Sequence, residues 1–382
     1  MMQRRLVPYI IAAVAVLAVL AGSYLTYQND NGDNSFEATL VCHGAFNNIR
    51  LDVTSDDFVQ HGIELGDCLL LKFPNQEFTA YFIENHVGIA ALDAYITGFN
   101  NSHDLELGIY NYDISEVLVD GEYGTKFTIT PTGEKASYYD KIPNYMRTPS
   151  DNVDDYSTLE AYGNYREVTQ GDFKDNKLYR SASPFQHNGT RYIYVDQYLR
   201  DVGVDWVFAI SIDMDDLESL RYEGSYAFEL YDEGRVIAKY LNSAVLSYPE
   251  EILYVMDTIA DIDGSIGLSC SKGKDRTGFY CALLEALAGA SYQEIRDDFL
   301  LSMVNYYNII PYSEEYDTVG YMLLDRTFYI IENTELLQDL TNVDWSKMDI
   351  TTFDPEQIVS DFLLQIGMDP DKLSKLKESL TG

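Results

Sequence analysis

Hydrophobic positions change their spacing twice along the chain, dividing it into three parts. From Leu6 to Tyr27 they are almost unbroken and no residue is charged. About 20 such residues at about 1.5 Å each cross the hydrocarbon core of a bilayer, so the pattern predicts an N-terminal transmembrane helix. Arg4 and Arg5 put the basic end inside; the competing reading is a secretory signal cleaved after a small residue such as Ala21. Both readings export the remainder of the chain, beginning with the solvated linker "QNDNGDNS", and residues 1–35 form this first part. In the second, 36–135, short β-rich runs ("ATLVCHG", "NIRLDVT", "CLLLKF", "TAYFIEN", "KFTITPTG") are separated by turn residues, which predicts a small all-β barrel or sandwich. Beyond the polar stretch "TGEKASYYDKIPNYMRTPSDNVDDYSTLE" the rhythm becomes α/β. "RYIYVDQYLRDVG" and "PEEILYVMDTIADI" read as helices, while "VDWVFAISI", "GRVIAKYL" and "GSIGLS" read as strands of a central sheet. The run "GFYCALLEALAGASYQEIRDDFLLSMVNYYNII" is mostly helix, and 136–382 is predicted as one α/β domain.

Composition narrows the function. With 382 residues and 46% hydrophobic content, the chain is long enough for two cores. Its 62 acidic and 26 basic residues give a net charge of −36, which argues against a nucleic-acid or anionic-membrane footprint. Four cysteines do not make a disulfide framework, although Cys42 and Cys68 are a candidate pair in an oxidising compartment. The histidines at 43, 61, 86 and 103 lack metal-ligand spacing, and no metal or cofactor is called for. Asp56 and Asp57 in "LDVTSDDF" read as a helix start rather than a catalytic pair.

Against this acidity, "SCSKGKDRTG" (269–278) is a basic cluster between a strand and a helix, where α/β sheets place their sites. Cys270, Gly273 and Arg276 have the spacing C-x-x-G-x-x-R, followed by Thr277 and Gly278. A cysteine attacks as thiolate, a form favoured at a helix N-terminus beside cations. A glycine-permitted turn through Ser271, Lys272 and Gly273 directs backbone N–H groups at a phosphate. The planar fork of Arg276 holds two phosphoryl oxygens. The P-loop pattern fails because Gly267 and Gly273 are one residue too far apart and Asp275 follows Lys274. The hydrolase elbow fails because Ser271 stands where its last glycine belongs.

This loop and the helix after it, "CSKGKDRTGFYCALLEALAGASYQEI", resemble those of the Cys-x5-Arg phosphatases, most closely the bacterial tyrosine-phosphatase family with a C-x-x-G-K-D-R-T-G loop. "GNYREV" with "KLYRSASPF", and "FLLQIGMDPDKLSKLKESL", are similar to that family's N-terminal signature and closing helices, so the resemblance runs from about 160 to 382. It implies a metal-independent phosphatase acting on a phosphorylated protein, lipid or inositol through a phosphocysteine on Cys270. Arg276 would hold the phosphoryl group and Thr277 would hydrogen-bond the sulfur. Lys272 and Lys274 would add positive charge, tilting the substrate toward phosphoinositides or inositol phosphates, phytate included, without excluding phosphotyrosine.

The general acid is left open. The segment 233–251 has no Asp where the family tends to supply one, which leaves Asp275 within the loop first and Asp213, in "ISIDMDDLES", second. Ser269 replaces the His that usually precedes the cysteine. Arg180 and Ser181 either reach the phosphate or tie segments together, and Cys281 reads as core. The sequence therefore predicts a membrane-anchored phosphatase with its catalytic domain outside the cell, or secreted if the N-terminus is cleaved. The alternative is a pseudophosphatase that keeps the loop only to bind a phospho-ligand.

Overall fold

The computed structural model describes residues 34–45, 47–84, 90–98, 104–119, 121–136, 149–187 and 189–381. The predicted membrane segment Leu6–Tyr27, His86 and His103 lie outside them. Among the described residues no helix is long and apolar enough to cross a membrane.

Alternation along the early strands sets which face they bury. In β2 (Ile49–Thr54), Ile49, Leu51 and Val53 are buried while Arg50 and Asp52 are exposed. With β1 (Phe36–His43), β3 (Asp67–Lys72), β4 (Glu77–Ile83), β5 (Ala94–Thr97), β6 (Asp104–Ile109) and β7 (Lys126–Lys135), it forms a closed barrel in the order β1-β2-β6-β5-β4-β3-β7. All neighbours are antiparallel except β4 and β5. The ten residues of β7 bridge β1 and β3, so the closed sheet has no free edge. The short helix Ser55–Gln60 brings the fully buried Phe58 against Phe36 and Phe82, with ring centroids 5.7 and 4.7 Å apart. Asp56 and Asp57 lie in its first turn, and Asp57 caps the helix reciprocally with Thr54. The candidate disulfide is absent: Cys42 and Cys68 are free thiols on β1 and β3, which β7 separates.

The second sheet has the order β11-β10-β12-β9-β8, built from β8 (Arg166–Glu167), β9 (Leu178–Ala182), β10 (Trp206–Ala209), β11 (Val236–Ala238) and β12 (Ile266–Cys270). β9 to β12 are parallel and β8 is antiparallel at the edge. Every residue of β12 is buried, as expected for a central strand covered on both faces. The predicted helices appear as Arg191–Val202 and Pro249–Asp261. The long apolar run forms two helices, Asp275–Leu287 and Tyr292–Tyr307. Gly289 (φ 78°) turns the chain between them, and a Ser291–Glu294 capping box starts the second. The closing helices are Pro355–Gln365 and Pro370–Thr381.

One hydrophobic cluster includes residues of both the barrel and the α/β unit, and a second lies within the α/β unit. Polar contacts fix the seam: Ala91 N–H donates to the Met322 carbonyl at 2.6 Å, and Arg326 Nη1 donates to Asp93 Oδ1 at 2.6 Å. Met322 lies in the π-helical turn Tyr321–Asp325, which runs directly into the helix bearing Arg326.

Candidate active site

Cys270 ends β12, the middle strand of the sheet, and is buried. The chain turns through Ser271, Lys272 and Gly273 and enters the helix at Asp275. The turn requires glycine. Gly273 has φ 65°, and a Cβ there would lie 2.3 Å from the Ser181 carbonyl at the end of β9.

The loop is gripped from behind by its carbonyls. The Gly273 carbonyl accepts from Asn164 Nδ2 at 3.0 Å and Arg180 Nη2 at 3.1 Å. The Lys272 carbonyl accepts from Asn164 Nδ2 at 3.3 Å and from the Tyr306 hydroxyl. Because a trans peptide sets N–H opposite C=O, the N–H groups of Gly273 and Lys274 face away from this anchor, and that of Gly273 donates to the Cys270 carbonyl at 3.2 Å. Asn164 fits there because its left-handed backbone (φ 46°) ends the helix Leu159–Gly163, a conformation asparagine tolerates. Arg180 is fully buried and ties segments together. It pairs with Asp298, which also accepts from Arg166 Nε at 2.6 Å. Burial alone would raise the Asp298 carboxyl, but the two arginines hold it well below the usual carboxylate range.

Arg276 gathers the ends of the neighbouring strands. Its Nη1 donates to the Leu241 carbonyl at 2.7 Å and to the Ile210 carbonyl at 3.3 Å, just past β11 and β10. Tyr240 lies 5.4 Å from the guanidinium. Nε and Nη2 make no hydrogen bond among the described residues, so two donors of the fork remain for a ligand.

Cys270, Arg276 and Asp275 line one cavity of about 160 Å³ together with Ser271 and Lys272. Its opposite wall is formed by barrel residues Tyr95 and Ile109 to Tyr112. Asp275 Oδ1 accepts from Lys274 Nζ at 2.6 Å. Asp213, by contrast, is exposed, does not line the cavity, and accepts from the Tyr240 N–H at 2.9 Å.

The two lysines are placed differently: Lys272 lines the cavity, whereas Lys274 does not. Lys274 is buried, with its ammonium on Asp275 and 5.8 Å from the Tyr307 ring. Burial disfavours that charge, but Asp275 and the facing tyrosines outweigh it and keep Lys274 above the ordinary lysine range. Lys272 pairs with Asp151, which also accepts from Arg191 Nη1 at 2.7 Å. Burial brings Lys272 below the ordinary lysine range, with Asp151 acting against the shift. Among the described residues, Thr277 Oγ1 and Ser269 Oγ are buried without a hydrogen-bond partner, and no Thr277–Cys270 bond is formed. Gly278 lies in the first turn of the helix, its N–H bonded to the Lys274 carbonyl at 2.9 Å. Cys281 is buried core.

Sequence reasoning did not assign roles to Asn164, Asp298 and Tyr306, nor to the barrel tyrosines. Asn164 stood inside the quoted "GNYREV", which was a usable signal; the others carry no local pattern. Among the described residues no group of three or more His, Cys, Asp or Glu could hold a metal ion.

Residues 161–382 match the tyrosine phosphatase family. Among solved structures, the chain is similar to an uncharacterized conserved protein from Thermotoga maritima at 16% identity and a TM-score of 0.24. That match covers 25% of this chain and 36% of the other, too little to carry an argument. No curated protein matches. With more than half of its length matched, including the loop that carries Cys270 and Arg276, the chain belongs to the tyrosine phosphatase family.

Proposed function

We propose that the protein hydrolyses phosphate monoesters through a phosphocysteine intermediate. The observation that carries the reading is a cavity lined by Cys270, Asp275 and Arg276 together, with two nitrogens of the arginine fork unbonded among the described residues. The Cys270 thiolate attacks phosphorus, and the bond to the leaving oxygen breaks as Asp275 gives that oxygen its proton. Water then attacks the phosphocysteine and passes a proton to the Asp275 carboxylate. The S–P bond breaks, inorganic phosphate leaves and the thiolate returns. Arg276, with the backbone N–H groups of the loop, stabilises the charge shifting onto the phosphoryl oxygens.

Phosphate release by the full chain from phosphorylated peptides, phosphoinositides, phytate and aryl phosphates tests this. Cys270→Ser is expected to abolish turnover by several orders of magnitude. Asp275→Asn is expected to lower kcat about 100-fold on esters with poor leaving groups and far less on activated aryl phosphates. If Asp275→Asn retains full rate on a poor leaving group, the acid lies elsewhere and Asp213 is next. Binding of a phosphate ester with no turnover at all would replace the enzyme with a phospho-ligand binding module, a reading that the unpartnered Ser269 and Thr277 hydroxyls favour.

The substrate is a phosphorylated protein, lipid or inositol, and with a net charge of −36 nucleic acid is not a partner. We place the catalytic unit outside the cell membrane, held by Leu6–Tyr27. External protease on intact cells checks this, since protection of a membrane-bound full-length chain overturns it.

A further inference from the structure

The barrel supplies one wall of the cavity. Tyr95 comes from β5, while Tyr110, Asn111 and Tyr112 form the turn that leaves β6. This turn is tight: Asn111 is left-handed (φ 63°), and Ile109 and Tyr112 pair across it. It is also held at a fixed height. On the barrel side, Leu92 N–H donates to the Tyr110 carbonyl at 2.9 Å and Tyr110 N–H to the Asp93 carbonyl at 3.2 Å. On the phosphatase side, Asp113 N–H donates to Ser247 Oγ at 2.8 Å, and the Tyr248 hydroxyl donates to Asp113 Oδ2 at 3.0 Å. Tyr95 is fixed by a buried chain in which its hydroxyl donates to Asn48 Oδ1 at 2.9 Å and Asn48 Nδ2 donates to Glu106 Oε2 at 3.2 Å. A wall anchored on both sides keeps its shape while a ligand enters.

The wall is aromatic and carries no cation, whereas the loop facing it commits its lysines to Asp151 and Asp275. Each phosphate of a polyphosphorylated ligand needs cationic donors, and among the described residues this cavity offers Arg276 and one lysine, Lys272, whose charge is already paired with Asp151. The volume of about 160 Å³ also falls below the roughly 300–1,000 Å³ of sites for drug-sized ligands.

We propose that the barrel is the substrate-selecting half of the active site: Tyr95, Tyr110 and Tyr112 pack against the organic group of a singly phosphorylated, flat apolar substrate and disfavour polyphosphorylated inositols. The proposal rests on the phosphate site at Cys270 and Arg276 and deepens it. It also reverses the substrate tilt read from the two lysines in the sequence.

The test is calorimetric binding to the full chain carrying Cys270→Ser, so that it does not depend on turnover. Three probes are used: inorganic phosphate, phenyl phosphate and inositol hexakisphosphate. The parent is expected to bind phenyl phosphate more tightly than inorganic phosphate, and inositol hexakisphosphate no more tightly than phenyl phosphate. Adding Tyr110→Ala or Tyr112→Ala is expected to weaken phenyl phosphate about two- to tenfold, the worth of one aromatic contact, and to leave inorganic phosphate unchanged. Tyr112→Phe keeps the ring and is expected to bind as the parent does. Equal losses for both small probes, no loss, or preferred binding of inositol hexakisphosphate overturns the proposal. Failure of the parent to bind inorganic phosphate overturns the phosphate site itself, and this proposal with it. Thermal melts of each variant separate a lost contact from a lost fold.

Discussion

Gly273 shows how much one residue decides. An L side chain in the left-handed region costs about 1–2 kcal/mol, and here a Cβ would also press on the backbone carbonyl of Ser181 rather than on a side chain that can move aside. Gly273→Ala is therefore expected to displace the loop from β9. Tm falls by several degrees and phosphate release drops with it; a variant with normal Tm and kcat would show that the loop tolerates the shift. Lys272 and Lys274 illustrate the opposite limit. Their positions in the motif are legible in the sequence, but the direction of a long flexible side chain is set by the nearest carboxylate, and both found one in the folded protein.

At the scale of elements, the loop depends on a buried charged cluster joining β9 to the helices Asp275–Leu287 and Tyr292–Tyr307. Arg180 is held by Asp298 and itself holds the Gly273 carbonyl. Glu285 lies fully buried beside Asp298, with no donor to either oxygen among the described residues. Burial first, and the Asp298 charge next, push its carboxyl well above the ordinary range, so the folded protein holds this proton to higher pH than the unfolded chain does. The unfolded chain releases that proton above about pH 4.5, so the native state binds more protons and this group's stabilisation is lost as pH rises toward its folded value. Glu285→Gln keeps the shape without the proton. Its stability relative to the parent is expected to grow above about pH 4.5 by up to roughly 1.4 kcal/mol per pH unit. Urea melts across pH 4–8 read this, and a gap independent of pH would mean that Glu285 is ionised in the fold. Asp298 acts in the other direction: its depressed carboxyl adds stability above the unfolded value near 4 and loses it as pH falls.

For the whole molecule, the long-range field and the local site oppose each other. A net charge of −36 repels a phosphate dianion until it reaches the loop. Screening weakens that repulsion, so kcat/KM is expected to rise about twofold or more as ionic strength goes from about 0.01 to 0.15 M and the Debye length falls from about 30 to 8 Å. A fall over that range would mean that the field of Arg276 and the loop dominates the approach.

The sequence by itself determined what is local. The periods of two and 3.6 marked the barrel strands β1 to β4 and β7, the helices Arg191–Val202 and Pro249–Asp261, and the strand-loop-helix that presents Cys270 and Arg276, because alternation and turn chemistry act between near neighbours. The tertiary structure decided the rest. Barrel closure pairs β7 with β1 and β3 across long stretches of chain, and β4 pairs in parallel with β5, whose four residues are buried throughout and show no alternation. The acid candidates were likewise separated only in the fold, which lines the cavity with Asp275 and turns Asp213 outward to the Tyr240 amide. The joining of the barrel to the phosphate loop also depends on packing between segments more than 100 residues apart, such as Asp113 with Ser247 and Asp93 with Arg326. Hydrophobic pattern states that a face is buried but not what buries it, so no local signal pointed to tyrosines of the β-rich domain facing the Cys270 loop.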